Sequence, residues 1–185
     1  MPESPAASEL APWGPEIDLF WEDFTVGELH QLGSHLITSE EIVEFGRSFD
    51  PQPFHTNPAR AQRSTFHGLI ASGWHSAAIW MRLYWDGVLW RAASLGSPGV
   101  EDLKWLAPVR PGDELRGSLE ILSSRLSVSR PDRGLVQIGA ELIDQQGIVK
   151  LRMTAWGLFG RRPAPPPAEH ASPSVPAALP RRRAG

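Results

Sequence analysis

A chain of 185 residues with 41% hydrophobic side chains and eight tryptophans can bury one ordinary core and is too short for two full-sized domains. It has no cysteine, which excludes disulfides, thiolate metal sites and cysteine nucleophiles and suits a reducing cytosol. The formal net charge of −3 conceals an asymmetry: residues 161–185 carry five arginines against Glu169, leaving 13 basic and 20 acidic side chains in residues 1–160, a poor match for nucleic acid.

The stretch from Met1 to Trp13 is acidic and Pro/Ala-rich, with neither a basic start nor an apolar signal core. No apolar run approaches the roughly 20 residues that span a bilayer. A cytoplasmic protein with no membrane segment is expected. Composition divides the chain into a disordered segment over 1–15, a single domain over 16–160 and a Pro/Ala/Arg-rich disordered tail over 161–185. The tail has seven prolines and few bulky side chains with which to offset its ordering entropy.

Thr38-Ser39-Glu40-Glu41 fits a capping box, with Thr38 as N-cap and Glu41 at the third helical position. The helix it opens carries Ile42, Phe45 and Gly46 on one face and stops at Phe49-Asp50-Pro51. Pro51-Gln52-Pro53-Phe54-His55 is expected to be extended, because prolines oppose helix. Asn57-Pro58 then starts a short helix ending near Ser64. A buried helix is expected over Gly68 to Tyr84, with Trp74, Ala77, Ala78, Met81 and Trp85 as one apolar stripe.

Downstream the period changes to two. Leu115, Gly117, Leu119 and Ile121 alternate with polar residues, as do Val136, Ile138, Ala140 and Leu142, and again Val149, Leu151, Met153 and Ala155. Gly99 to Val109 reads as a further strand. Turn signals at Arg110-Pro111-Gly112-Asp113, Arg130-Pro131-Asp132-Arg133-Gly134 and Asp144-Gln145-Gln146-Gly147 join the strands into a largely antiparallel sheet. The fold class is α+β, with the sheet curled around the long helix and an open edge that invites a second copy.

Chemistry is concentrated between Asp50 and His55. A carboxylate and an imidazole on a proline-stiffened loop can hold one water between them and move its protons. The same residues also fit a turn-capping Asp50 and a surface His55. Gly73, in Ile70-Ala71-Ser72-Gly73-Trp74, stands where free N–H groups can meet a developing oxyanion. It fits a close packing position equally well. His67 and His75 do not join His55 in a common metal-ligand spacing, so no metal is expected.

The Asp-Pro-Gln-Pro-Phe-His stretch, the following Asn-Pro and Ala61, and the Ile-Ala-Ser-Gly helix start resemble the MaoC-like dehydratase family, which includes R-specific enoyl-CoA hydratases. Gly99-Val100-Glu101-Asp102-Leu103-Lys104-Trp105 and Pro108-Val109-Arg110-Pro111-Gly112-Asp113 extend the likeness, which runs from about Phe20 to Phe159. The resemblance implies a hot-dog fold, an antiparallel sheet wrapped around a long central helix. It also implies a homodimer or higher even oligomer, with an acyl-thioester tunnel beside the helix near the dimer interface. The implied reaction is reversible hydration of a trans-2-enoyl thioester to the R-3-hydroxyacyl thioester, without a cofactor. The acyl carrier is coenzyme A or acyl-carrier protein.

Carried over by position, the resemblance makes Asp50 and His55 the catalytic pair and Gly73 the oxyanion donor. Gln52, Pro53, Phe54, Ser72 and Trp74 become the expected substrate-binding residues. Phe49 before the Asp, Pro51 after it, Gln52 where Asn is usual and Ser72 where His is usual depart from the family pattern, and bear on the substrate more than on the fold. Two other readings stay open: a thioesterase of hot-dog type, and a partner subunit that binds without catalysis.

Overall fold

The computed structural model describes residues 16–163. The expectations for 1–15 and for the tail from 164 onward lie outside them. Strands β1 (Leu29–Leu36), β2 (Gly99–Trp105), β3 (Glu114–Leu126), β4 (Arg133–Ile143) and β5 (Val149–Gly160) form one antiparallel sheet in the order β1-β3-β4-β5-β2. Helices α1 (Ser39–Phe49), α2 (Pro53–Thr56) and α3 (Pro58–Ala61) follow β1, and the long helix α4 (Gly73–Gly87) lies against β1, β3 and β4.

The alternation in the sequence is the alternation of the core. Leu115, Leu119, Ile121, Val136, Ile138, Ala140, Leu142, Leu151, Met153 and Ala155 are all buried beneath α4. From the helix, Ile79, Trp80, Leu83 and Tyr84 meet them, and the Trp80 indole N–H donates to the Ser118 carbonyl at 3.1 Å. That bond lets a large aromatic be buried without orphaning its polar atom.

Several expectations are corrected. The long helix begins at Gly73 rather than Gly68 and runs to Gly87. Ile70 N–H donates to the Phe54 carbonyl and Ala71 N–H to the Val109 carbonyl, so the backbone before Ser72 is committed to non-helical partners. Ser72 then caps the helix by accepting from the Trp74 N–H at 3.3 Å. The helix expected to be buried on most faces is also exposed along one of them: Trp74, Met81 and Trp85 are exposed in the single chain. Ser76, Ile79, Trp80, Leu83 and Tyr84 are buried.

Pro51 to His55 is not wholly extended. Pro53 opens the one-turn helix α2 from its first position, where a missing N–H breaks no helical bond. The strand expected over Gly99 to Val109 ends at Trp105. Its connection to β3 is not a hairpin: β2 and β3 lie at different places in the sheet, so residues 106–113 cross over.

β1 has no counterpart among the expected strands. Gly33 sits at φ +92 inside a bulge between Gln31 and Ser34, which breaks the period-two pattern. Only Leu32 of this edge strand is buried. Just past β5, Arg161 and Arg162 pair with Glu22 and Asp23 of the short 3-10 turn Trp21–Asp23.

Candidate functional site

Asp50 and His55 meet because the chain turns sharply between two helical pieces. Asp50 ends α1, its N–H donating to the Gly46 carbonyl at 2.9 Å. Gln52 N–H returns to the Asp50 carbonyl at 2.8 Å, and His55 N–H bonds the Gln52 carbonyl at 2.9 Å. The outcome is His55 Nε2 at 3.3 Å from Asp50 Oδ2.

The imidazole is buried and its orientation is set from the other side. His55 Nδ1 lies 2.8 Å from the Ile70 carbonyl oxygen. A carbonyl only accepts, so Nδ1 carries the proton and Nε2 is the nitrogen turned to Asp50. Phe54 packs edge-to-face with the ring at a centroid distance of 4.5 Å.

The carboxylate is held on both oxygens. Gln52 Nε2 donates to Oδ1 at 2.9 Å, and Ser72 Oγ donates to Oδ2 at 2.7 Å. Burial works to raise the pKa of Asp50, but the Gln52 and Ser72 hydrogen bonds and the charge of His55 outweigh it and hold the group below the usual carboxylate range.

A cleft of about 320 Å³ opens beside the pair, lined by Phe54, His55, Phe66, Gly73, Trp105 and Val109 among others. Gly73 forms the first turn of α4, whose leading N–H groups have no intrahelical acceptor and carry the positive end of the helix dipole. The Trp105 ring rests directly on Gly73, where a Cβ would overlap it. A second cavity, about 330 Å³, lies further along α4, between Ala77, Trp80, Met81 and Tyr84 on the helix and Val100, Met153 and Ala155 on the sheet.

The structure thus gathers Asp50, His55, Gln52 and Ser72 by direct contact, with Phe54 and Gly73 on the cleft wall. It does not bring in all the expected substrate contacts. Pro53 starts α2 away from the cleft lining, Ser72 is sealed behind Asp50, and Trp74 is 61% exposed and edge-to-face with Trp105 at a centroid distance of 5.3 Å. Phe66, Trp105 and the Ile70 carbonyl are the parts the sequence reading missed. No local signal announces them, since each arrives from a segment distant in sequence or through backbone alone. Among the described residues no three His, Cys, Asp or Glu side chains are placed to hold a metal ion, and His75 stacks on Phe45 at 4.5 Å instead.

A family model described as the MaoC-like domain matches residues 27–139. The chain belongs to the MaoC-like domain family. This MaoC-like domain is similar in structure to the MaoC-like dehydratase from Rhodospirillum rubrum, with 41% identity, a TM-score of 0.74, and coverage of 80% of this chain and all (100%) of that one. The (R)-hydratase from A. caviae involved in PHA biosynthesis shares the fold at 24% identity and a TM-score of 0.61, over 74% of this chain and 97% of that one. RV0216 of Mycobacterium tuberculosis, described as having a double hotdog fold, matches at 13% identity with a TM-score of 0.67, over 88% of this chain and 54% of that one. The MaoC-like chain therefore has the hot-dog fold. Among its described residues no helix is long and apolar enough to cross a membrane.

Proposed function

We propose that the protein is a hydratase–dehydratase of acyl thioesters, interconverting a trans-2-enoyl-CoA, or the same acyl group on acyl-carrier protein, and the R-3-hydroxyacyl thioester. The observation that carries this reading is the contact of His55 Nε2 with Asp50 Oδ2 at 3.3 Å, beside a cleft that also exposes the start of α4 at Gly73.

In the hydration direction, a water held by Asp50 and His55 Nε2 gives a proton to Asp50 as its oxygen bonds to the β-carbon. The thioester carbonyl gathers the negative charge, with its oxygen at the Gly73 N–H, where the helix dipole favours an anion. A proton delivered from the pair through His55 Nε2 to the α-carbon completes the addition, so one water is consumed and the pair returns to its starting state. Dehydration is the same path reversed. The apolar cavity beside Trp80, Met81 and Tyr84 suits an acyl tail lying along the helix.

A homodimer accompanies this reading. The chain spans about half of a double-hotdog protein, 54% of its length, and a second copy supplies the other half.

The test is to incubate the purified protein with a panel of trans-2-enoyl-CoA thioesters and follow loss of the conjugated enoyl absorbance. Hydration by the wild type that Asp50→Asn and His55→Gln abolish is expected. Full activity in Asp50→Asn would overturn the mechanism, and release of free CoA in place of hydration would indicate a thioesterase.

A further inference from the structure

Ser72 makes two hydrogen bonds that share no atom on the far side. Its hydroxyl oxygen accepts from the Trp74 N–H at 3.3 Å, which caps α4, and its hydroxyl hydrogen goes to Asp50 Oδ2 at 2.7 Å. Its side chain is shut off from solvent, with the residue 1% exposed. A serine hydroxyl has one hydrogen, and here it is spent on Asp50. Nothing remains with which to donate to a substrate.

We propose that Ser72 is a positioning residue: it aims the Asp50 carboxylate and sets the pH range over which Asp50 works as the base. The inference rests on the hydration chemistry proposed above and extends it to a residue that does not touch substrate. Three groups constrain Asp50 from two elements. The titratable one facing it is His55 on α2. The other two are the Gln52 amide, at the start of that helix, and Ser72, at the start of α4. Gln52 is exposed and reaches Oδ1 on a flexible stem, whereas Ser72 is buried and fixed by the helix it caps. Of the two donors to the carboxylate, Ser72 is therefore the rigid one.

Its place in the chain adds a geometric consequence. The next residue, Gly73, offers the N–H assigned to the carbonyl oxygen. One peptide link therefore spans the anchor of the base and the oxyanion donor, so the base and the polarised carbonyl are referred to the same point of the fold. A misplacement of catalytic groups by an ångström can cost about a hundredfold in rate, which makes such a common anchor consequential. Where the family pattern has a histidine before this glycine, the serine hydroxyl places a neutral donor against the carboxylate.

A hydroxyl that donates to the carboxylate favours its ionised form. Removing the hydroxyl makes Asp50 a stronger base that protonates at higher pH, and the acid limb of kcat/KM then moves upward. The experiment compares wild type with Ser72→Gly, Ser72→Ala and Ser72→Thr. Glycine is tolerated at an N-cap, so the first variant deletes the hydroxyl at little cost to the helix, and threonine restores it. Two readings are taken: the Asp50 carboxyl titration by carbon-13 NMR without substrate, assigned with Asp50→Asn, and the pH profile of enoyl-CoA hydration.

The expected result is an upward move of the Asp50 titration in Ser72→Gly and Ser72→Ala, with about a tenfold loss of kcat/KM on the acid side that recovers at higher pH. Ser72→Thr should track wild type. An Asp50 titration unchanged in Ser72→Gly overturns the proposal, and a lowered melting temperature with that same unchanged titration assigns Ser72 to capping alone. A moved titration in a protein whose wild type hydrates no enoyl thioester upholds the positioning role and overturns the hydration reading instead.

Discussion

Gly46 of α1 lies so close to His55 that a Cβ on it would stand 2.9 Å from the His55 carbonyl oxygen and 3.0 Å from the His55 Cβ. Helix α1 and the one-turn helix α2 can approach this far only because position 46 has no side chain. A glycine inside a helix ordinarily costs about 1 kcal/mol relative to alanine. Its presence here is repaid by seating the imidazole next to Asp50.

Gly46→Ala therefore separates the two effects. Helix propensity alone predicts a more stable protein. The contact predicts the reverse, a loss of about 1–3 kcal/mol from overpacking and a fall in kcat of about tenfold or more as His55 is pushed off its line to Asp50. Denaturant unfolding and hydration kinetics on the same sample read both.

Gly73 and Trp105 make a second such pair. A Cβ at position 73 would enter the Trp105 ring, so Gly73→Ala should destabilise the fold and displace the cleft wall. Adding Trp105→Ala should return part of the stability lost to Gly73→Ala, and the double-mutant cycle should give a coupling of about 1 kcal/mol or more. Additive single effects would mean that the ring yields without cost.

Lys150 is buried at the start of β5, where its ammonium meets Asp113 Oδ2 at 3.1 Å, Asp144 Oδ2 at 3.0 Å and the Pro108 carbonyl at 3.0 Å. This ties the cleft-lining segment around Pro108 to the sheet. Burial works to raise the pKa of Asp144, but the Ile148 N–H, the Lys150 ammonium and the Gln146 N–H together hold it below its ordinary value. A carboxylate depressed in the folded state stabilises fully above its unfolded value of about 3.9, and that contribution disappears as pH falls through the lower folded value. Lys150→Met leaves two buried carboxylates unpaired. It should cost about 3–5 kcal/mol at neutral pH, with the deficit against wild type narrowing in acid, as read by urea unfolding across pH.

The exposed apolar face of α4 is a prediction about assembly. Trp74, Met81 and Trp85 are 61%, 46% and 50% exposed, and Val100 and Trp105 on the edge strand β2 are exposed as well. Exposed apolar surface of this kind is expected to be covered by a second copy. Sedimentation should find a dimer for wild type and a shift toward monomer for Trp85→Glu. A monomeric wild type would contradict the dimer.

The parts of the fold legible in the sequence were those with a local physical cause. The Thr38–Glu41 capping box forms as read, with the Thr38 side chain accepting from the Glu41 N–H, and Asn57 caps α3 by accepting from the Arg60 N–H. The alternating strands bury the residues their period singles out, except Val149, which is half-buried. Long-range contacts were not legible. The start of α4 is decided by Phe54 and Val109, which claim the Ile70 and Ala71 N–H groups, and β1 hides behind its bulge at Gly33. At the site, the residue types from Asp50 to His55 were visible. The Ser72 hydroxyl on Asp50 and the Ile70 carbonyl on His55 come from folding the α4 entrance back onto that loop, which no spacing encodes.

The central claim is that water is aimed at the β-carbon of an enoyl thioester, and heavy-oxygen water tests it most directly. Turnover of a trans-2-enoyl-CoA in that solvent should place the label on the C3 hydroxyl of an R-3-hydroxyacyl-CoA, with the thioester intact and the labelled product absent for Asp50→Asn. Label found in a free carboxylate together with released CoA would mean that the water is aimed at the carbonyl, and would contradict the account.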